Sequence, residues 1–143
     1  RRYYAGEGAA YAETGSAITA FTIAINCRAL DTAARFFSPG LHVVNRSRSG
    51  FPDRSAGEMR ASYEELFAMV PEVREWHSVM HWLSPTRVII RHEREGVGRD
   101  AERYQWSHVL VCESSGGRLV SIANFDGDDE DGAFAYAEEA SRP

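Results

Sequence analysis

The side chains best suited to chemistry in this chain are its histidines, His42, His77, His81, His92 and His108. Imidazole is the side chain that gains and loses a proton near neutral pH without help, so a histidine facing a pocket can act as general acid or base. The candidates for that role are His108, in YQWSHVLV, and His81, in WHSVMHW. A metal centre fits less well. His77 and His81 are four apart in a strand-like stretch, which places them on one face but ~13 Å apart, too far to share an ion. There is no HExxH pattern or Cys-His pair. The acidic run DGDDED lacks the glycine and the terminal bidentate glutamate that a calcium loop needs. There is no GxSxG elbow and no glycine-rich phosphate loop after a strand. We therefore expect no metal and no cofactor.

Other residues can shape a pocket around such a group. Most aromatics are core by default, and Phe21 and Tyr63 are expected to rim an apolar cavity. Asn45, at a strand end, either binds a ligand carbonyl or hydroxyl, or satisfies local backbone. Period-two alternation puts Ile122 and Asn124 on the pocket face of the last strand. In the preceding strand both faces are open. Either His108 packs outside with Tyr104, Trp106 and Leu110 while Val109 looks inward, or the reverse.

The elements that must position these residues are legible from spacing. Residues 3–14 suggest a lead-in helix, weakened by Gly6 and Gly8. Ser16 can cap a helix whose apolar side holds Ile18, Phe21 and Ile25. Asp31 can cap a short helix, TAARFF, stopped by Pro39-Gly40. Residues 41–45 alternate as a strand, and 46–55 form a polar loop. Ser55 and Glu58 make a capping box, and Met59, Tyr63, Leu66, Phe67 and Val70 share one side of the helix that follows. Three long strands come next, about 73–83, 87–94 and 101–113. A tight SSGG turn leads to a last strand at 118–125, and Asp129 can cap a closing helix. Helices followed by a curved antiparallel sheet define an α+β class with helices on one face.

The chain has 143 residues, enough for one domain over 1–143, with 1–15 as a lead-in helix or linker. Its net charge of −5 argues against a broad phosphate-binding surface, so no nucleic-acid partner is expected. All of its basic residues are arginines, scattered along the chain. No apolar run approaches the ~18 residues that span a membrane, and no signal peptide is visible, so a cytoplasmic location is expected. Cys27 and Cys112 read as buried free thiols. The chain begins Arg1-Arg2 without Met, as an excised module would.

The order FTIAINCRALDTAARFF, then the Phe-Phe-Ser-Pro step into a strand, then GRLVSIANFD resembles the nuclear transport factor 2-like (SnoaL-like, cystatin-like) superfamily from about residue 16 to 139. That resemblance implies a cone-shaped fold with a hollow for a small hydrophobic ligand and a homodimer formed through the sheet. RRYYAGEGAA, VPEVR, YQW and FDGDDEDGAFAYAEE are similar to SnoaL-like domains at the carboxyl end of large actinobacterial regulators. Ketosteroid isomerase, in the same superfamily, uses a carboxylate base, a phenol and a protonated acid. Aligned without gaps through Asn26 and Leu30-Asp31, those positions fall on Asn45, Phe21 and Val109, or on His108 with a one-residue slip. Phe cannot donate a hydrogen bond and Asn cannot take a proton, so that set is missing. The alignment favours the inward placement of Val109.

The expectation is thus a ligand-binding or dimerisation module. Phe21, Asn45, Tyr63, Val109, Ile122 and Asn124 would line its pocket. The alternative is a cyclase, isomerase or hydratase using His108 or His81 as acid-base, with Asn45 and Asn124 as orienters. A third reading is a purely structural domain with a filled cone.

Overall fold

The computed structural model describes residues 7–140. A 3-10 turn, Glu7–Tyr11, leads into helix α1 (Ala12–Asn26), followed by α2 (Leu30–Ala34) and strand β1 (Phe37–Asn45). A loop and the two-residue β2 (Arg54–Ser55) precede α3 (Ala56–Met69). Then come β3 (Glu72–Ser84), β4 (Arg87–Val97), β5 (Arg103–Ser115), β6 (Arg118–Asp126) and α4 (Glu130–Ala140). The sheet runs β2-β1-β6-β5-β4-β3. It is antiparallel except where β1 runs parallel to β6. The architecture is α+β, with the N-terminal helices packed on one side of a mixed sheet.

Several local signals act as read. Ser55 Oγ accepts from Glu58 N–H, and the Glu58 carboxylate accepts from Ser55 N–H, closing the capping box of α3. Gly132 N–H donates to Asp129 Oδ1 at the start of α4. Three signals act differently. Asp31 does not cap the short helix but lies in the first turn of α2, whose N-cap is Ala29 with no side-chain hydrogen bond. Ser16 lies inside α1, because the 3-10 turn feeds the helix directly and its start moves to Ala12. Pro39-Gly40 does not stop a helix but lies within β1. The register jumps there from Phe37 to His42, so proline sits where no ladder bond is required. Of the expected lead-in helix over 3–14, residues 3–6 lie outside the described residues.

Between helices and sheet, Ile18, Phe37, Val43, Ile90, Cys112 and Ile122 form one core cluster, and Ala24, Ile25, Ala33 and Tyr63 form another. Ile25 is fully buried, worth about 1.5–3 kcal/mol on transfer grounds. The closing helix departs from the expectation of helices on one face. α4 packs Ala133 and Ala137 on the opposite side of the sheet, against Ile89, Val109, Val111, Ala123 and Phe125. The small alanines let the helix lie close to the strands. Much of the sheet face expected to pair two copies is therefore covered by the chain itself. Cys27 is exposed rather than buried, Cys112 is buried, and both are free. Among the described residues, no helix is long and apolar enough to cross a membrane.

Candidate active site

Strand register assembles the site. β3 pairs with β4 so that His77 faces His92, and β4 pairs with β5 so that His92 faces His108. Directly opposite residues point to the same side of a sheet, so three imidazoles from three strands form one row. The next row is Glu75, Arg94 and Trp106. All three histidines and Arg94 line a hollow of about 180 Å³ between sheet and helices.

Glu75 is the centre of the polar groups. It is 2% exposed, an expensive place for a carboxylate without partners. Tyr63 donates its hydroxyl to Oε1 at 3.1 Å, and His92 Nε2 lies 3.1 Å from the same oxygen. Arg94 engages Oε2 through Nε at 2.7 Å and through a terminal nitrogen at 2.6 Å. Asn26, the last residue of α1, grips the Glu75 backbone from both sides, donating to its carbonyl and accepting from its N–H. The helix end thereby fixes the strand position from which the carboxylate reaches its partners.

The protonation states follow from these contacts. Burial pushes the Glu75 carboxyl up, but the His92 hydrogen bond and the Arg94 charge outweigh it and hold the pKa at about 2. Tyr63 is raised by burial and by the Glu75 charge, so it stays a donor. An ionised carboxylate can only accept, so His92 must carry its proton on Nε2. In neutral His92 the basic nitrogen is then Nδ1. His77 is pushed down to about 4 by burial and by His92, against the pull of Glu75. His108 is lowered by burial, His92 and Arg94. Both are neutral at pH 7. An imidazole oriented by a buried carboxylate, flanked by two more, can take up a proton and pass it on.

The residues singled out from sequence fall in different places. Phe21 and Tyr63 line the hollow with ring centroids 6.1 Å apart, and Ile122 and Asn124 line it from β6. His108 also faces the hollow, together with Leu110 and Cys112. Val109, expected inside, is on the opposite face beneath α4, because the one-residue slip is the placement that the helix contact selects. Trp106 likewise lies on the inner side, opposite Arg94. His81 sits outside, 5.1 Å from the Phe134 ring. It does not share a face with His77, since an extra residue between His77 and Val79 bulges β3 and reverses the alternation.

Asn45 is not among the residues that line the hollow. Its Nδ2 donates to Ser49 Oγ and to the Phe51 carbonyl, while its Oδ1 accepts from the Ser47 N–H and hydroxyl and from Asn124 Nδ2. It thus organises the loop over 46–53, the second of the two roles its position offered. Arg48 ties that loop to Asp126, the last residue of β6, and to Asp128 in the turn beyond it. Phe51 and Arg54 complete the hollow's mouth.

Sequence reasoning passed over Glu75, His92 and Arg94 as site residues. One signal was present: Glu75-x-His77, His92-x-Arg94 and Trp106-x-His108 each place a histidine two residues from a charged or aromatic side chain, on one face of a strand. A wider groove of about 620 Å³, lined by Asn26, Arg28, Arg74, Gly96, Arg103 and others, opens at the far ends of β3 to β5. It contains none of the histidines, so the chemistry points to the smaller hollow. Among the described residues, no group of three His, Cys, Asp or Glu is placed to hold a metal ion.

No protein-family model matches the chain, and no curated protein matches it. Solved structures do. An LEH-like epoxide hydrolase from M. tuberculosis superposes with a TM-score of 0.66 at 17% identity, covering 81% of this chain and 79% of that one. The Δ5-3-ketosteroid isomerase of Mycobacterium sp. gives 0.66 at 11% identity, covering 78% and 91%. A hypothetical protein with a ketosteroid isomerase-like fold from Catenulispora acidiphila, in complex with trimethylamine, gives 0.65 at 12%, covering 78% and 85%. The likeness establishes the fold as nuclear transport factor 2-like.

Proposed function

We propose that the chain is an acid–base enzyme that moves a proton within a small, mostly apolar substrate held in the hollow. The observation that carries this is His92 on the hollow wall, with Nε2 on a buried, ionised Glu75. In this reading His92 Nδ1 takes a proton from the substrate, and Glu75 is the positioning residue that stabilises the imidazolium formed. The His92 imidazolium then returns that proton to a second atom of the substrate, directly or relayed through the neutral His77 or His108. Asn124, at the same wall, supplies a hydrogen bond to a carbonyl or hydroxyl. The net reaction is an isomerisation, which needs neither an electron carrier nor a co-substrate. Epoxide hydrolase and ketosteroid isomerase activities in proteins of this fold support an enzymatic use of such a hollow.

The test is proton exchange. Small apolar ketones and hydroxyketones are incubated with the protein in D₂O and followed by NMR. The expected result is protein-dependent deuterium uptake beside a carbonyl that disappears in His92→Asn. No uptake with any member of the panel, while those compounds shift the histidine ring signals, would leave a binding module.

That second reading has its own observation. Both Glu75 oxygens are already engaged by Tyr63, His92 and Arg94, which a purely structural network would also require. It would suit a ligand-sensing domain of a larger regulator. Pairing of two copies through the outer face would then fall on what α4 leaves uncovered, such as Val79, and on the exposed Phe134 of α4 itself.

A further inference from the structure

The charged groups around the hollow are unevenly distributed. Its lining contains Arg54 and Arg94 and no carboxylate. Arg94 is neutralised by Glu75 behind the wall. Arg54 is not. It lies on β2 opposite Val43, a buried residue of the hollow, so its side chain starts out on the same side of the sheet. Its guanidinium carbon sits 4.9 Å over the Phe51 ring. Among the described residues, no carboxylate is within ion-pair distance of Arg54, and nothing accepts from its N–H groups. The nearest acids in sequence are occupied elsewhere: Asp53 Oδ1 accepts from Asn45 N–H, and Glu58 closes the capping box with Ser55.

We propose that Arg54 binds the carboxylate of an anionic, otherwise apolar substrate at the mouth of the hollow. This rests on the reading of the hollow as the substrate site. The guanidinium fork matches a carboxylate in two parallel hydrogen bonds, and the contact with the Phe51 ring restricts where the guanidinium sits. A ligand carboxylate supplies the ion-pair partner that Arg54 lacks within the chain, whereas a neutral ligand does not. Arg54 is on β2 and His92 on β4, at separate parts of the curved sheet. The anionic group and the reacting carbon therefore belong to different ends of the substrate. The volume is below the ~300 Å³ at which drug-sized pockets begin, so the skeleton is small.

The experiment compares phenylacetate with phenylacetamide, equal in shape and different in charge. Binding is measured by calorimetry and located by the His92 and His108 ring signals in NMR. The wild-type protein should bind phenylacetate about tenfold more tightly than the amide, and the preference should weaken as salt is added. Arg54→Gln should bring the two within about threefold, and Arg54→Lys should keep part of the preference. Equal affinities in the wild type, a preference that survives Arg54→Gln, binding that moves only groove residues such as Tyr104, or no binding of either probe would each overturn the proposal. Thermal midpoints of both variants check folding. If Arg54→Gln does not fold, the Lys variant and the wild-type salt dependence decide. Neutral ketones undergo the exchange reaction without Arg54, so failure of this proposal and failure of the acid–base reading give different patterns.

Discussion

Glu75 Oε1 and His92 Nε2 lie 3.1 Å apart, on neighbouring strands and out of contact with bulk solvent. The pair fixes one tautomer of one histidine among three. Glu75→Gln replaces the acceptor-only group with an amide and leaves Arg94 without its counter-charge. The expected cost is about 3 kcal/mol in urea unfolding, the low end for breaking a buried ion pair, because Arg94 keeps some contact with solvent. The ring ¹⁵N shifts of His92 should change from one dominant tautomer to a mixture. Unchanged stability together with an unchanged His92 spectrum would mean that the pair orients nothing.

Stability should fall in mild acid. The unfolded chain takes up a proton at His77 near pH 6.5, while the folded chain takes it only near pH 4. The stability is therefore fully present above pH 6.5 and is lost as pH drops toward 4, by about 1.4 kcal/mol per unit before solvent screening reduces it. His108 is shifted the same way and adds to the loss. Glu75, depressed from 4.5 to about 2, extends it further into acid. Thermal midpoints between pH 7 and 4 measure the effect, and His77→Gln should flatten the upper part of the curve.

Asn45→Ala removes the hub of the mouth loop. Amide exchange over residues 46–53 should accelerate, while global stability drops by only about 1–2 kcal/mol, since the lost bonds lie in a part-exposed loop. A ligand whose release requires the loop to move should then leave faster. Exchange confined to wild-type rates would show that Arg48 and its two aspartates suffice to hold the loop.

Gly96→Ala tests a close approach of backbone to core. A Cβ there would come 2.6 Å from Val70 Cγ1 and 3.1 Å from the Glu72 carbonyl oxygen. The strand and the end of α3 must separate, at about 1–3 kcal/mol. Because Glu75 and Arg94 are close by in the same strand pair, the histidine ring signals should shift as well.

The α+β layout was legible because each helix carried its own local signal, as the Ser55–Glu58 box shows. The site was less legible because its strands are buried on both faces. Val88, Ile89 and Ile90 are all buried, and so are Val109, Val111 and Cys112, so period-two alternation gave no contrast with which to orient His92 or His108. Asn45 was ambiguous for another reason. An asparagine that binds a ligand and one that ties a loop look identical until its hydrogen-bond partners are known. Glu75 was passed over because an acid in a strand is usually solvated, and its burial depends on Arg94, 19 residues further along the chain.

β3 is 13 residues long and forms an outer margin of the sheet, with β4 as its only strand neighbour among the described residues. A bare margin of that length would present a row of N–H and C=O groups on which a strand from another molecule could assemble, but near its start the Val73 carbonyl accepts from Arg28 and the Glu75 N–H and C=O are bound by Asn26. The extra residue at Ser78 interrupts this row near its middle and adds twist, so neither half offers a long flat template. The irregularity that moves His81 away from His77 therefore also protects the protein against edge-to-edge aggregation.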